Sequence, residues 1–320
     1  GDHRDLHYPL RRQRQMCIRD RATTYLTLTN SVLRELNETE LTSGTFSSSR
    51  GIQTAVKDFI NKSIHDIYNE TGEIPLLYAR TTQDLFVGDN EYDFPADFRK
   101  ADMDSFVLKP KELVTNGEFA SNINNWTTGD GSPSHTSSGN GRLNLNSSAA
   151  YQAINTTVNK TYKLQVRVLS PNSSSTALIV RVGTSAGGTQ NLNTTQDVTN
   201  FREGDILQTT FTATAQTSFI YLEASGVQLD VDYVRISRSD IATRKLSYIT
   251  YDSYLQTYKA TDDTNNSSNY AAPLRVYILP NYTAFGVSPR PNLNEYTISY
   301  NYYTTHTDLS AHGDLSLIHI

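Results

Sequence analysis

Apolar residues recur most regularly between positions 52 and 67. Ile52, Val56, Phe59, Ile60, Ile64 and Ile67, with Ser63 on the same stripe, fall at i, i+3, i+4 and i+7 spacing. The pattern predicts a helix opened by Ser47–Ser49 and closed near Gly72, its other face (Lys57, Asp58, Lys62, Asp66) turned to water. A shorter helix is predicted before it, carrying Leu26, Val32, Leu33 and Leu36, with Thr27 or Thr29 as cap. The pattern then changes. Gln83–Val87 and Glu91–Phe94 flank Gly88-Asp89-Asn90, a hairpin signal that ends at Pro95–Phe98, and Met103–Leu108 reads as a further strand.

A different texture follows. Leu143–Leu145, Tyr151–Ile154, Tyr162–Leu169, Ala177–Val182, Ile206–Ala213, Ser218–Glu223 and Val231–Ile236 are short, alternating runs separated by turn residues. Such spacing predicts an all-β antiparallel sandwich. Its core is expected to hold Phe119, Trp126, Tyr162, Val166, Val168, Phe211, Ile220 and Leu222. Beyond it, Leu246–Ile249 reads as a strand and Tyr251–Tyr258 as a short helix starting at Thr250 or Asp252. Arg275–Leu279 and Thr283–Val287 form a hairpin across Pro280-Asn281, and Tyr296–Tyr303 is a last strand. The expected fold is an α+β domain with a β-sandwich inserted between two of its strands.

Composition sharpens those borders. Charge is ordinary over 22–110, sparse over 111–239, where Thr, Ser, Asn and Gly dominate, and returns with abundant tyrosine over 240–314. The two ends read differently again. Gly1–His7 (GDHRDLH) and Arg11–Arg21 (RRQRQMCIRDR) resemble a translated sequencing adapter, and Leu315–Ile320 (LSLIHI) resembles the reverse complement of the same transposon end. Residues 1–21 and 315–320 are therefore expected to be artefact, flanking an insert truncated after Asp314. Setting 1–21 aside removes six arginines and three aspartates, leaving 22 basic against 30 acidic side chains, a net charge of about −8. The arginine-rich start is then neither a nucleic-acid arm nor a targeting peptide. An acidic insert argues against non-specific DNA binding. The single cysteine, Cys17, falls in the adapter-like segment, so no disulfide, thiolate metal site or cysteine nucleophile is expected. No apolar run reaches membrane-spanning length.

Catalytic signals are weak. His65, His135, His306 and His312 are scattered without ligand spacing, and Asp262-Asp263 and Asp102/Asp104 have no acid–base context. Gly183–Gly188 (GTSAGG) lies between strands and lacks the Lys-Ser/Thr and helix of a phosphate loop. The Asn-x-Ser/Thr triplets, at Asn125, Asn146, Asn155, Asn159, Asn172, Asn193, Asn266 and Asn281 among others, are what this composition produces by chance. No enzymatic activity is expected.

Two resemblances supply what the pattern does not. Leu113–Trp126 (LVTNGEFASNINNW) resembles the opening strand of jelly-roll carbohydrate-binding modules of the cellulose and xylan type, and Leu229–Ile236 (LDVDYVRI) resembles their closing strand. The resemblance brackets 111–239 and implies a glycan-binding jelly roll, with Trp126, Tyr151 and Tyr221 as candidate sugar-stacking residues. Core packing is the competing role for Trp126. It also implies a structural calcium held through Glu118 and Asp232, although the position after Phe119, a carboxylate in the family, is Ala120 here.

The flanks are similar to head-to-tail adaptor proteins of tailed phages. The stretches that carry this are YLTLTNSVLRELNETEL with TFSSSRGIQTAVKDFINKSIHDI, the Gly-Asp-Asn turn with DSFVLKP, then LSYITYDSYLQTY, PLRVYILPNYTAFGVSPRPN and YTISYNYYTTHTDLS in order. That resemblance implies a virion protein of the phage neck: a homo-oligomeric ring below the portal protein, made in the host cytoplasm, contacting tail or nozzle proteins, with the sandwich turned to a host glycan. An acidic ring lets DNA slide without sticking. The alternative is an extracellular polysaccharide-binding protein, or a fragment of a glycoside hydrolase that carries the module.

Overall fold

Thr24 starts the first helix because its extended backbone lets its hydroxyl accept the N–H of Thr27 at 3.2 Å. Helix α1 (Tyr25–Glu35) therefore begins one turn earlier than Thr27 or Thr29 would set it, and it buries Tyr25, Thr29 and Leu33 while Leu36 is exposed. Helix α2 (Ile52–Thr71) buries the i, i+4 row Val56, Ile60, Ile64 and Tyr68. Ile52, Phe59 and Ile67, predicted on the same stripe, lie at its exposed edge. The computed structural model describes residues 23–71, 77–137, 139–169, 177–198, 204–225, 228–264 and 266–315. The adapter-like 1–21 and nearly all of 315–320, with the Gly72 helix stop and Asn172, lie outside the described residues.

The chain divides into two compact units, Gly1–Ala79 with Tyr303–Ile320, and Arg80–Tyr302. In the first, the segment after Tyr303 is held on the helices. Asn61 donates to the Leu309 carbonyl at 3.0 Å and accepts its N–H at 3.2 Å, and Tyr25 N–H donates to Asp314 O at 2.8 Å. Leu309 joins the core of Tyr25, Leu33, Phe46, Ile60 and Ile64.

In the second unit, strands β1 (Tyr78–Asp84), β2 (Glu91–Asp93), β3 (Phe98–Ala101) and β4 (Val107–Pro110) come first. The turn forms at Phe86–Asp89, earlier than the predicted Gly88-Asp89-Asn90, with Asp89 N–H donating to Phe86 O at 3.2 Å, because β1 already ends at Asp84. The strands it joins are not hairpin partners, however: β1 and β2 enter different sheets. The chain then runs through the sandwich: β5 (Thr127–Asp130), β6 (Ser134–Thr136), β7 (Arg142–Leu145), β8 (Ala149–Asn155), β9 (Thr161–Leu169), β10 (Ala177–Gly183), β11 (Leu192–Asp197), β12 (Ile206–Thr212), β13 (Thr217–Ser225) and β14 (Leu229–Arg238). It returns through β15 (Arg244–Lys245), β16 (Ser247–Tyr248), helices α3 (Tyr251–Thr257, capped by Thr250) and α4 (Lys259–Asp262), β17 (Arg275–Ile278), β18 (Ala284–Ser288) and β19 (Tyr296–Thr304). One small sheet has the order β1-β19-β4-β15 with β3 also on β19, and the other β16-β17-β18-β2. Both join strands from before and after the sandwich. The predicted hairpin β17–β18 is antiparallel, with Tyr282 at φ 58° in its turn.

The sandwich consists of two five-stranded antiparallel sheets, β11-β10-β13-β8-β5 and β12-β9-β14-β7-β6. All seven predicted runs are strands; β5, β6 and β11, polar and lacking a clear apolar alternation, are additional. The eight predicted core residues are all buried in one cluster, each large side chain stabilising the fold by about 1.5–3 kcal/mol. The Asn-Gly-x-Phe opening has a steric basis. A Cβ at Gly117 would sit 2.2 Å from the Val234 carbonyl oxygen, so only glycine lets this segment accept the Val234 N–H at 2.8 Å. Asn116, at φ 52°, turns its amide onto the carbonyls of Asn122 and Asn124, and Phe119 fills the core. Among the described residues no helix is long and apolar enough to cross a membrane.

Candidate functional site

Strict alternation sorts the β8–β13–β10 ladder into two faces. Ala150, Gln152 and Ile154, then Ile220 and Leu222, then Val180 and Val182 point into the sandwich. Tyr151, Phe219, Tyr221, Glu223, Ile179 and Arg181 must then lie on the other face. Register brings them together: Tyr221 stands opposite Tyr151 on one side and Arg181 on the other. The Tyr151 and Tyr221 rings lie 6.3 Å apart at 14°, and Phe219 adds a third ring 6.2 Å from Tyr151. Arg181 lies 5.4 Å over the Tyr221 ring while donating to Glu223 at 2.6 Å.

Tyr221 is the most enclosed ring, 9% exposed. Gly129 on β5 makes this enclosure feasible, because a Cβ there would stand 2.5 Å from the Tyr221 ring. Burial pushes the Tyr221 phenol above its usual pKa, with the negative charge of Glu223 next and Asp130 a lesser contributor. Its neutral hydroxyl therefore persists across physiological pH. Tyr151 and Phe219, both half-buried, carry the more accessible ring surface.

Trp126 does not belong to this face. It is buried against Phe119 at 5.5 Å, and its indole N–H donates to the Asn116 carbonyl at 3.3 Å, so it offers no ring to a ligand. Of the three aromatic candidates the structure brings Tyr151 and Tyr221 together and leaves out Trp126, and it adds Phe219, Arg181 and Glu223, which the sequence did not single out. Phe219 was legible in the same period-2 pattern as Tyr221. Arg181 and Glu223 required the strand register.

Glu118 and Asp232 do come together, lining one cavity of about 420 Å³ with Ala120, Asn140, Arg167 and Arg235. Each carboxylate, however, is already answered by a guanidinium: Arg235 meets Glu118 at 2.8 Å and Arg167 meets Asp232 at 3.0 Å. Ala120 contributes no carboxylate, and no group of three or more His, Cys, Asp or Glu able to hold a metal occurs among the described residues. Calcium takes six to eight oxygen ligands. The side chains present here do not fit it, and the resemblance to calcium-holding modules does not extend to these positions.

No protein-family model matches the chain, and no curated protein matches it. Among solved structures it is similar to the enzymatically active domain of tailspike protein 4 of bacteriophage CBA120, at 15% identity over 40% of this chain and 21% of that one, TM-score 0.31. It is also similar to the xylan-binding domain CBM22-1 of Paenibacillus barcinonensis Xyn10C, at 15% identity over 42% of this chain and 97% of that domain, TM-score 0.32. A third is the second N-terminal cellulose-binding domain of Cellulomonas fimi β-1,4-glucanase C, at 13% identity over 41% and 96%, TM-score 0.31. At scores this low, what the aromatic face can bind has to be read from its own side chains.

Proposed function

We propose that the sandwich binds a glycan across the β8–β13–β10 face. The observation that carries this is the grouping of Tyr151, Phe219 and Tyr221 on the outward side of one sheet, beside a fixed Arg181–Glu223 pair. Sugar rings present CH groups to aromatic surfaces and hydroxyls to polar side chains, and this face supplies both. Three partly covered rings suit a dissociation constant of about a millimolar. Titrating the full chain with an oligosaccharide panel tests this. The expected result is binding that the double variant Tyr151→Ala, Phe219→Ala lowers at least about tenfold with thermal unfolding little changed. Full binding in the double variant, or none in the parent across the panel, overturns it.

We further propose that the rest of the chain is a non-enzymatic head-to-tail connector subunit of a phage neck, ring-forming, with portal and tail proteins as partners. The order of its motifs on either side of the sandwich supports this. So does the pairing of β4 with β15 and β19, and of β2 with β18, which makes the sandwich an insertion in a host fold. Copies in a ring would multiply a weak glycan affinity by avidity. Native mass spectrometry with purified portal protein is the test: a closed ring on the portal supports it. A monomer that ignores portal protein but binds polysaccharide favours a polysaccharide-binding protein outside any virion.

A further inference from the structure

The charge on the aromatic face is unequal to its cation. The five strands of that sheet hold one basic residue, Arg181, and three carboxylates, Asp130, Asp197 and Glu223. Arg181 is not at liberty. Its guanidinium is bonded to Glu223 at 2.6 Å and lies over the Tyr221 ring at 5.4 Å, with the two charged side chains only 25% and 30% exposed. Asp130 adds negative potential at Tyr221. A uronate or sulfated chain laid on these rings would meet no uncommitted cation on the sheet's strands. It would also meet the carboxylates of Asp130 and Glu223, which repel like charge. An uncharged sugar has neither problem. The paired guanidinium and carboxylate still present outward N–H and oxygen atoms, fixed by each other, that can bridge adjacent hydroxyls.

Resting on the glycan reading above, we infer that this face selects uncharged glycans over acidic ones, and that Glu223, by occupying Arg181, is the residue that sets the selection. Arg181 is the group a carboxylate ligand would use, and Glu223 holds its place. Replacing Glu223 by the isosteric glutamine removes one negative charge and leaves Arg181 beside Tyr221 with a weaker partner. The face should then accept the ligands it now rejects.

The test uses the full chain and two sets of probes of equal length: neutral gluco-, xylo- and galacto-oligosaccharides, and oligogalacturonates. The parent is expected to bind at least one neutral series about tenfold more tightly than the uronates. Glu223→Gln should strengthen uronate binding several-fold, the gain should fade at high salt, and Arg181→Gln in the same background should abolish it. Glu223→Ala serves as a second variant lacking the amide, and it should show the same gain. Parent binding of uronates equal to or above that of neutral chains overturns the inference alone and leaves a glycan-binding face. So does Glu223→Gln with uronate affinity unchanged. Absence of binding by every probe overturns the glycan reading and this inference with it.

Discussion

Trp126 and Gly129 lie three residues apart and act in opposite directions. Trp126 turns inward onto Phe119, and Trp126→Ala should cost about 3–5 kcal/mol of stability, read from denaturant unfolding. Gly129 supports the outward face, where an added Cβ would meet the Tyr221 ring at 2.5 Å. The obstacle is the far end of a side chain, so the fold should survive Gly129→Ala while the ring shifts. Glycan affinity should fall by roughly 1 kcal/mol, about fivefold, at nearly unchanged melting temperature. A variant that loses stability and binding together would contradict this division. Buried Asp262 makes a third case. Burial, its largest influence, raises its pKa, while Ser288 and Arg290 lower it. A raised folded-state pKa means stability present at low pH and lost as pH rises through that value. Asp262→Asn should therefore flatten the pH dependence of unfolding above the ordinary carboxylate range.

At the scale of elements, the segment after Tyr303 carries a protonation-sensitive contact. His306 packs edge-on against Tyr68 at 4.4 Å and lies 5.7 Å from His65, which in turn bonds Asp308 at 2.6 Å. Burial, then the neighbouring His65, lowers the His306 pKa below 6.5, with Asp308 opposing. A depressed histidine pKa contributes stability that is present above the unfolded value and lost as pH falls through the folded one. The His65–Asp308 pair is exposed, and such pairs contribute little. Hydrogen exchange in residues 306–314 should therefore accelerate as pH drops below about 6.5, after correction for intrinsic rates, and His306→Phe should remove that dependence. Exchange unaffected by pH in the parent would show that His306 does not govern docking. This contact was not legible beforehand: His65 and His306 look scattered in the sequence, and only the return of the chain to α2 brings them together.

Across the second unit, Glu295 ties the small sheets to the sandwich. It is 9% exposed and accepts from Tyr162 at 2.5 Å and from Arg238 at 2.5 Å, while its backbone carbonyl accepts the Lys111 N–H at 2.8 Å. Arg238 is held by Asp240 as well; burial opposes its charge, but the bonds to Asp240 and Glu295 outweigh it and hold the guanidinium above its usual pKa. Glu295→Ala leaves a buried guanidinium short of a partner and should cost about 3 kcal/mol, with the sandwich and small sheets no longer melting in one transition by calorimetry. Burial, reinforced by the Glu295 bond, pushes Tyr162 up to about 12. The sign is that of a retained proton: the contribution is complete below the unfolded value of about 10 and is lost as pH climbs through 12. Alkaline unfolding followed by tyrosinate absorbance should begin in that window, and Tyr162→Phe, which has no proton there to lose, should show a shallower pH dependence across it.

Local pattern was enough to specify helix α2, though not the full width of its buried stripe, the β17–β18 hairpin, the seven apolar strands and the sandwich core. Each depends on the side chains of neighbouring residues and on a fixed period of 3.6 or 2. The same alternation put Tyr151 and Tyr221 on an outward face. What it left undecided depends on residues distant in sequence: that β1 and β2 part into different sheets, and that Arg181 lies between Tyr221 and Glu223. Glu118 and Asp232 show the difference most clearly, since the sequence offered two carboxylates for a cation and the tertiary structure supplies each with an arginine. Which charges are already paired is set by strand register across the sheets, and no window of local sequence contains it.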